Sequence, residues 1–352
     1  MITAGTCSST NTVIGAREFR AATTRSCVSR CNCKASAYAI APRSMTDTCS
    51  FEASVIMARG RAYEARRHTT IARVPNIHST AVLHGDIELA DDVEIGPNCV
   101  LSGRIRLGRG CGLVGGVHLQ GPLTMGAGNV CYPGSSLGFA PQDLKFPHSK
   151  DGGGTVIGDG NTFREGVTIH RATREDRPTR VGNNNYWMAM SHAGHDVQVG
   201  DHCVFANNTL FGGHAEIGDR VVTGGGAGVH QFTRIGRGAM LGGLCGASKD
   251  VCPFFMLTAT NYVGGFNRIG MRRIGASEAD IEVTKKIYSL LVRSRQPFSA
   301  RLEAILPYAG NAIADEFIAF VQSSKRGICT RHGRVTASRA GGSDAVFSSE
   351  LA

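Results

Sequence analysis

A chain of 352 residues has room for two domains, but 46 glycines and a single Trp argue against a compact aromatic core and suit a fold with many tight turns. No stretch approaches the roughly 20 apolar residues of a membrane span, so no transmembrane segment is expected. The net charge of +10 suggests a nucleic-acid partner until it is divided: residues 1–75 carry eleven basic groups against four acidic ones, which leaves +3 for the rest and removes that suggestion.

Residues 1–75 are Arg-rich and acid-poor, and fifteen of the first fifty are Ser or Thr. This is the composition of an organelle transit peptide. The excess of Arg over Lys favours a mitochondrial destination, and the Ser, Thr and Ala content also suits a chloroplast. The segment is set aside from the fold. It holds five of the twelve cysteines, Cys7, Cys27, Cys31, Cys33 and Cys49; Cys31 and Cys33 are too close for a usual zinc knuckle, and no metal is expected. The other seven are scattered singly and read as reduced thiols.

From Ile77 an apolar residue returns at every sixth position: Ile77, Leu83, Leu89, Ile95, Leu101, Leu107, Leu113, Leu119, Met125, Cys131 and Leu137. The period resumes with Ile157, Phe163 and Ile169, then runs from Val181 through Trp187, Ala193, Val199, Phe205, Phe211, Ile217, Thr223, Val229, Ile235 and Leu241 to Ala247, with only Thr223 polar. Six matches neither the 3.6 of a helix nor the alternation of an ordinary strand. It fits a short strand followed by a corner, three of which close one coil of a parallel β-helix. The predicted β-helix covers residues 76–255, with loops thrown out at 138–156 and 170–180 and the second loop kept outside the core. Helical periodicity begins after residue 276, at a capping-box start Ser277-Glu278-Ala279-Asp280, and predicts three helices within an α-helical domain at 256–328. Residues 329–352 read as a frayed tail.

The densest chemistry is Ser191-His192-Ala193-Gly194-His195-Asp196. A histidine acts as a base when one ring nitrogen is held by an acceptor, and Asp196 is placed to do this for His195. His170, His214 and His230 fall near corners of other coils. A lone histidine is more often a structural donor than a catalyst, but five on one β-helix are harder to dismiss.

The hexad pattern resembles the hexapeptide-repeat transferases, whose β-helix is left-handed. Gln142-Asp143-Leu144-Lys145, Val167-Thr168-Ile169-His170-Arg171, the His192 to Asp196 corner, Ala206-Asn207-Asn208, Gly213-His214, Val229-His230-Gln231-Phe232 and Asn267-x-x-Gly270-x-x-Arg273 occur in the order of the UDP-N-acetylglucosamine O-acyltransferases of lipid A biosynthesis. The likeness spans roughly Ile77 to Gly327. It implies transfer of a 3-hydroxyacyl group from acyl carrier protein to the sugar 3-hydroxyl of UDP-N-acetylglucosamine, without a cofactor, at sites between the chains of a homotrimer.

In that resemblance His195 is the base, Asp196 stands behind it, and the Gly213 N–H meets the developing oxyanion. Asp143, His192, His214, Gln231, Asn267 and Arg273 would hold the sugar nucleotide, Lys145 and His230 would sit near the acyl chain and the cleft, and Gln142 and His170 complete the substrate-binding set. Gly243 would leave the acyl groove open for a longer chain. Arg268, Arg272, Arg273, Lys285, Lys286 and Arg293 offer a basic face to an acidic carrier protein. Ile269 and Ile274 stand where the family has an acidic residue and a second Arg, which implies weaker nucleotide contacts and a raised KM for UDP-N-acetylglucosamine.

Three other readings compete. The pathway's N-acyltransferase shares the hexads and a His base but carries a uridine-binding domain that residues 1–76 do not provide. A γ-class carbonic anhydrase would recruit His192, His195, His214 or His230 for zinc, and an inert hexad scaffold would not cluster histidines at its corners.

Overall fold

The computed structural model describes residues 74–147 and 149–331. The proposed transit segment, apart from its last two residues, lies outside these, as does the tail from residue 332.

The hexads form a parallel β-helix. Three sheets of eleven, nine and eight short strands make its faces. Asn76 pairs with Glu94, Val82 with Val100 and Ile87 with Ile105, so one coil takes 18 residues, three hexads. Every sixth residue points inward because each two- or three-residue strand ends in a corner that turns the chain through to the next face. The inward column from Leu101 to Leu241 is almost wholly buried. Its widest part is aromatic: Trp187 meets Phe205 edge-on at 4.5 Å, and Phe205 meets Phe211 at 4.8 Å. Thr223, the polar break in the column, does not orphan its hydroxyl: it lies 2.7 Å from Thr209 Oγ1 and accepts from the Ala206 N–H.

Buried side-chain amides run parallel to the backbone ladders. Asn129 Oδ1 accepts from the Asn161 N–H, Asn161 Oδ1 from the Asn185 N–H, and Asn185 Oδ1 from the Cys203 N–H. Each inward polar group at this corner therefore satisfies the coil above it.

The two loops are visible as breaks in the 18-residue step. Val130 pairs with Thr162 and Thr162 with Tyr186. The second loop does not stay clear of the core, as its charge suggested. Arg171 is 4% exposed, and Ala172 and Thr179 are fully buried. The Arg171 guanidinium donates to Asp151 O at 2.7 Å, Gly138 O at 3.2 Å and Gln120 Oε1 at 3.3 Å, which ties the first loop to the second. A string of charges reads as solvated; one of them is instead the internal clamp that satisfies irregular loop carbonyls.

The C-terminal region also departs from its prediction. It opens with a β-hairpin, Phe255–Ala259 against Tyr262–Phe266, whose first strand continues the stack on Met240–Leu241. A helix Arg268–Arg273, capped by Asn267, follows before residue 276. The predicted helices then appear as Glu278–Tyr288, Phe298–Ile305 and Ala312–Gln322, the first with the Ser277–Asp280 capping box intact. The chain does not fray at 329: Cys329 is buried and donates its N–H to Asp250 O at 2.8 Å, and Thr330 bridges to Tyr262. All seven described cysteines are free thiols. No described helix is long and apolar enough to cross a membrane.

Candidate active site

His192 lies on a strand of the second, nine-stranded face, His195 and Asp196 follow in the turn after it, and the next two coils place Gly213-His214 and Gln231-Phe232 at that same corner, 18 residues apart. The carbonyl of His195 accepts from the His214 N–H at 2.9 Å, and that of Gly213 from the Phe232 N–H at 3.1 Å. The corner therefore stacks His195, Gly213 and Gln231 in one column, with Asp196, His214 and Phe232 in the column beside it.

Asp196 sits in the left-handed region, φ 62°, which turns its carboxylate back toward the ring of the preceding residue. His195 Nδ1 lies 2.8 Å from Asp196 Oδ2. The side chains are 15% and 4% exposed. With Nδ1–H donated to the carboxylate, Nε2 keeps its lone pair and faces the Gly213 corner; a Cβ on Gly213 would come within 2.8 Å of it. The Gly213 N–H takes part in no hydrogen bond among the described residues.

Burial by itself would raise the Asp196 carboxyl, but hydrogen bonds from His195, from the Thr173 hydroxyl and N–H and from the Arg174 N–H outweigh it and bring it down to about 2. Burial, with the nearby charge of His170 and His195, depresses His192 to about 4. Burial also lowers His170 and His214. His192 Nδ1 is 2.7 Å from Thr168 Oγ1, and its ring packs edge-on against His170 at 5.4 Å. His214 stacks flat on Phe232 at 4.4 Å, with Nε2 3.7 Å from Asp196 Oδ2. These three rings are kept neutral beside a base whose partner is kept ionised.

A cleft of about 560 Å³ runs along the second face. Gln142, His192, His195, Gly213, His230 and Gln231 line it, and it ends at Ser248 and Thr260. Leu210, Gly228 and Gly246 succeed one another along the sheet as its floor. His170 and His214 are not among its lining residues; they pack against His192 and His195, ring to ring, at 5.4 and 5.1 Å.

Asp143, Lys145, Asn267, Arg273 and Gly243 do not line it. Asp143 Oδ1 accepts from the Lys145 N–H at 2.9 Å and shapes the loop. Asn267 caps its helix through Oδ1 and gives Nδ2 to Gly238 O at 3.0 Å, so its amide is committed within the chain. Arg273 is exposed. Gly243 lies at the corner before the second face, opposite the one that bears His195. Of the basic face, Arg268 and Arg272 share Glu278, and Lys285 pairs with Glu282.

Sequence reasoning missed Thr168, Thr173, Thr179 and Phe232. Thr168 and Phe232 had a signal, their places in Val167-Thr168-Ile169-His170-Arg171 and Val229-His230-Gln231-Phe232; Thr173 and Thr179 had none, because their partner Asp196 lies on another coil. Ligand atoms of His195, Asp196 and His214 lie within 4.8 Å of one another, a spacing that suits a metal ion. Asp196 Oδ2 already accepts from Thr173 twice and faces His195 Nδ1, so the set reads as a hydrogen-bonded network and lacks the three-histidine donor set of the zinc alternative.

Among known proteins, a family model described as UDP N-acetylglucosamine O-acyltransferase, domain 2, matches residues 250–329, and a six-repeat bacterial transferase hexapeptide model matches residues 178–213. The acyl-[acyl-carrier-protein]–UDP-N-acetylglucosamine O-acyltransferase of Anaeromyxobacter sp. (strain K) is 39% identical over 257 residues, 72% of this chain and 98% of the relative. The chain belongs to this acyltransferase family. The crystal structure of the UDP-N-acetylglucosamine O-acyltransferase of Moraxella catarrhalis superposes with a TM-score of 0.68 at 36% identity, covering 72% of this chain and 99% of that one. The Arabidopsis UDP-N-acetylglucosamine acyltransferase does so with 0.59 at 28% identity, over 74% and 99%. Membership sets aside the zinc-enzyme and inert-scaffold readings and the N-acyltransferase.

Proposed function

We propose that the protein moves a 3-hydroxyacyl group from acyl carrier protein to the 3-hydroxyl of UDP-N-acetylglucosamine, the first step of lipid A biosynthesis, with His195 as general base. The observation that carries this reading is the His195–Asp196 pair, with Nε2 directed into a cleft, in a member of this acyltransferase family.

The sugar hydroxyl oxygen attacks the thioester carbonyl while its proton passes to His195 Nε2. Asp196, ionised at any physiological pH, holds Nδ1–H and stabilises the imidazolium that forms. The unpartnered Gly213 N–H suits the oxyanion. Collapse of the tetrahedral adduct breaks the C–S bond, and the carrier thiolate takes the proton back from His195. His192, Gln142, Gln231 and His230 line the cleft and, in this reading, meet the substrates there.

We propose a homotrimer with sites between neighbours. Lys145, Arg273 and Gly243 stand away from the cleft of their own chain, which fits contributions made across an interface. Exposed Met190, Leu210 and Leu244, at 61%, 50% and 85%, give that interface apolar contacts. The composition of residues 1–75 supports delivery to an organelle, with the mitochondrion favoured. The test is acyl transfer from 3-hydroxyacyl carrier protein to UDP-N-acetylglucosamine by wild type and His195→Ala. Product from wild type and a loss of at least about 1,000-fold in the variant are expected; equal rates would end the assignment.

A further inference from the structure

The charges of the 170–180 loop suggest a solvated excursion, yet its two ends close on the carboxylate behind the base. Thr173 donates to Asp196 Oδ2 twice, from its N–H at 3.0 Å and from its hydroxyl at 2.7 Å. The Arg174 N–H reaches Oδ1 at 3.3 Å. From the other end, buried Thr179 accepts the Asp196 N–H at 2.8 Å. Between these ends Arg174, Glu175, Asp176 and Arg177 are exposed, with Arg174 and Asp176 paired to each other.

We propose that Thr173 is a positioning residue of the acyl transfer proposed above: its hydroxyl and N–H fix Asp196 Oδ2 in line with His195 Nδ1 and keep that oxygen from turning to His214. The inference rests on His195 as the base. Oδ2 has two rival imidazoles, His195 Nδ1 at 2.8 Å and His214 Nε2 at 3.7 Å, and a carboxylate free to rotate about its Cβ–Cγ bond would be shared between them. Two donors from one residue remove that rotation. They also withdraw charge from Oδ2, so Asp196 orients His195 without holding its proton too tightly for the thiolate to recover.

The charged and titratable groups facing this pair are His214 from the next coil, His170 and His192 from the second face, and Arg174 from the loop, with Asp143 acting on His214. The Thr173 hydroxyl can be removed without changing any of these charges. Thr173→Val keeps the shape and the backbone N–H; Thr173→Ser keeps the hydroxyl.

The experiment measures kcat, KM and the pH dependence of kcat/KM for wild type, Thr173→Val, Thr173→Ser, Asp196→Asn, the Val/Asn double variant and His195→Ala, with melting temperatures for each. Losing one hydrogen bond to a charged group corresponds to roughly a tenfold loss. Thr173→Val is therefore expected to lose kcat about 10-fold with both KM values within about twofold, and its acid limb should move to higher pH, because a less solvated carboxylate holds the imidazolium more tightly. Thr173→Ser should restore both, and in the Asp196→Asn background Thr173→Val should add little, because it acts through that carboxylate. Wild-type kcat and pH profile in Thr173→Val, a Ser variant as slow as Val, or full additivity with Asp196→Asn overturns the proposal while an inactive His195→Ala leaves the base assignment standing. An active His195→Ala overturns both.

Discussion

Replacing Gly213 by Ala tests the geometry of the site with one methyl group. Gly213 is not in the left-handed region, so the backbone accepts Ala, and the unfolded chain loses a little entropy in the variant's favour, about 0.4–1 kcal/mol. The new Cβ, however, would lie 2.8 Å from both Cε1 and Nε2 of His195 and 3.3 Å from Cδ2. Carbon contacts settle near 3.5 Å, so the ring must retreat by about 0.7 Å. The retreat stretches the 2.8 Å bond to Asp196 and moves Nε2 off the attacking hydroxyl. A misplacement of this size costs about 100-fold in rate, or about 2.7 kcal/mol in the barrier. Steady-state acyl transfer, with thermal melting alongside, should show kcat down about 100-fold and a melting temperature within about 3 °C of wild type. A kcat within about threefold of wild type would refute the placement of His195 Nε2 against Gly213.

His192 makes the fold acid-sensitive before its carboxylates titrate. Its folded value is about 4, against roughly 6.5 in the unfolded chain. As pH falls the unfolded chain therefore binds the proton first, and stability that is complete above about 6.5 is lost between there and about 4. The ceiling is about 3 kcal/mol, and partial exposure of the ring reduces it to about 1–2 kcal/mol; urea melts at pH 7 and pH 5 should show this loss in wild type and a smaller one in His192→Asn. Arg171→Met should destabilise the chain by about 2–4 kcal/mol by leaving buried loop carbonyls unsatisfied, and limited proteolysis should cut first within 140–154; an unchanged cleavage pattern would mean that the guanidinium does not anchor that loop. Gly243→Met, on the open-groove reading, should shift donor preference toward shorter 3-hydroxyacyl chains by about 10-fold or more in relative kcat/KM, as read by competition between two donors; a single chain's cleft does not contain Gly243, so an unchanged preference would count against the intersubunit groove.

The period of six was enough to determine the coil, its inward column and its strand register, because a parallel β-helix repeats one local solution and each hexad sees the same neighbours. The His192 to Asp196 corner was likewise legible, since His195 and Asp196 are adjacent and a left-handed turn at Asp196 suffices to join them. The hairpin at 255–266 was not, because its strands follow a long repeat and carry no alternation that stands out from it.

Tertiary structure alone decided the rest. Thr173 and Thr179 reach Asp196 from 23 and 17 residues away, and Arg171 reaches Gln120 from 51. Loops set those contacts, and even where the hexad count is kept, as from Ile169 to Val181, the period does not say what a loop side chain meets. The same holds for Asn267, where the sequence offers an amide but not its use as a helix cap. What the repeat could fix was everything that one coil tells the next; the charge and orientation of the carboxylate behind His195 depended on side chains that only the closed coils bring together.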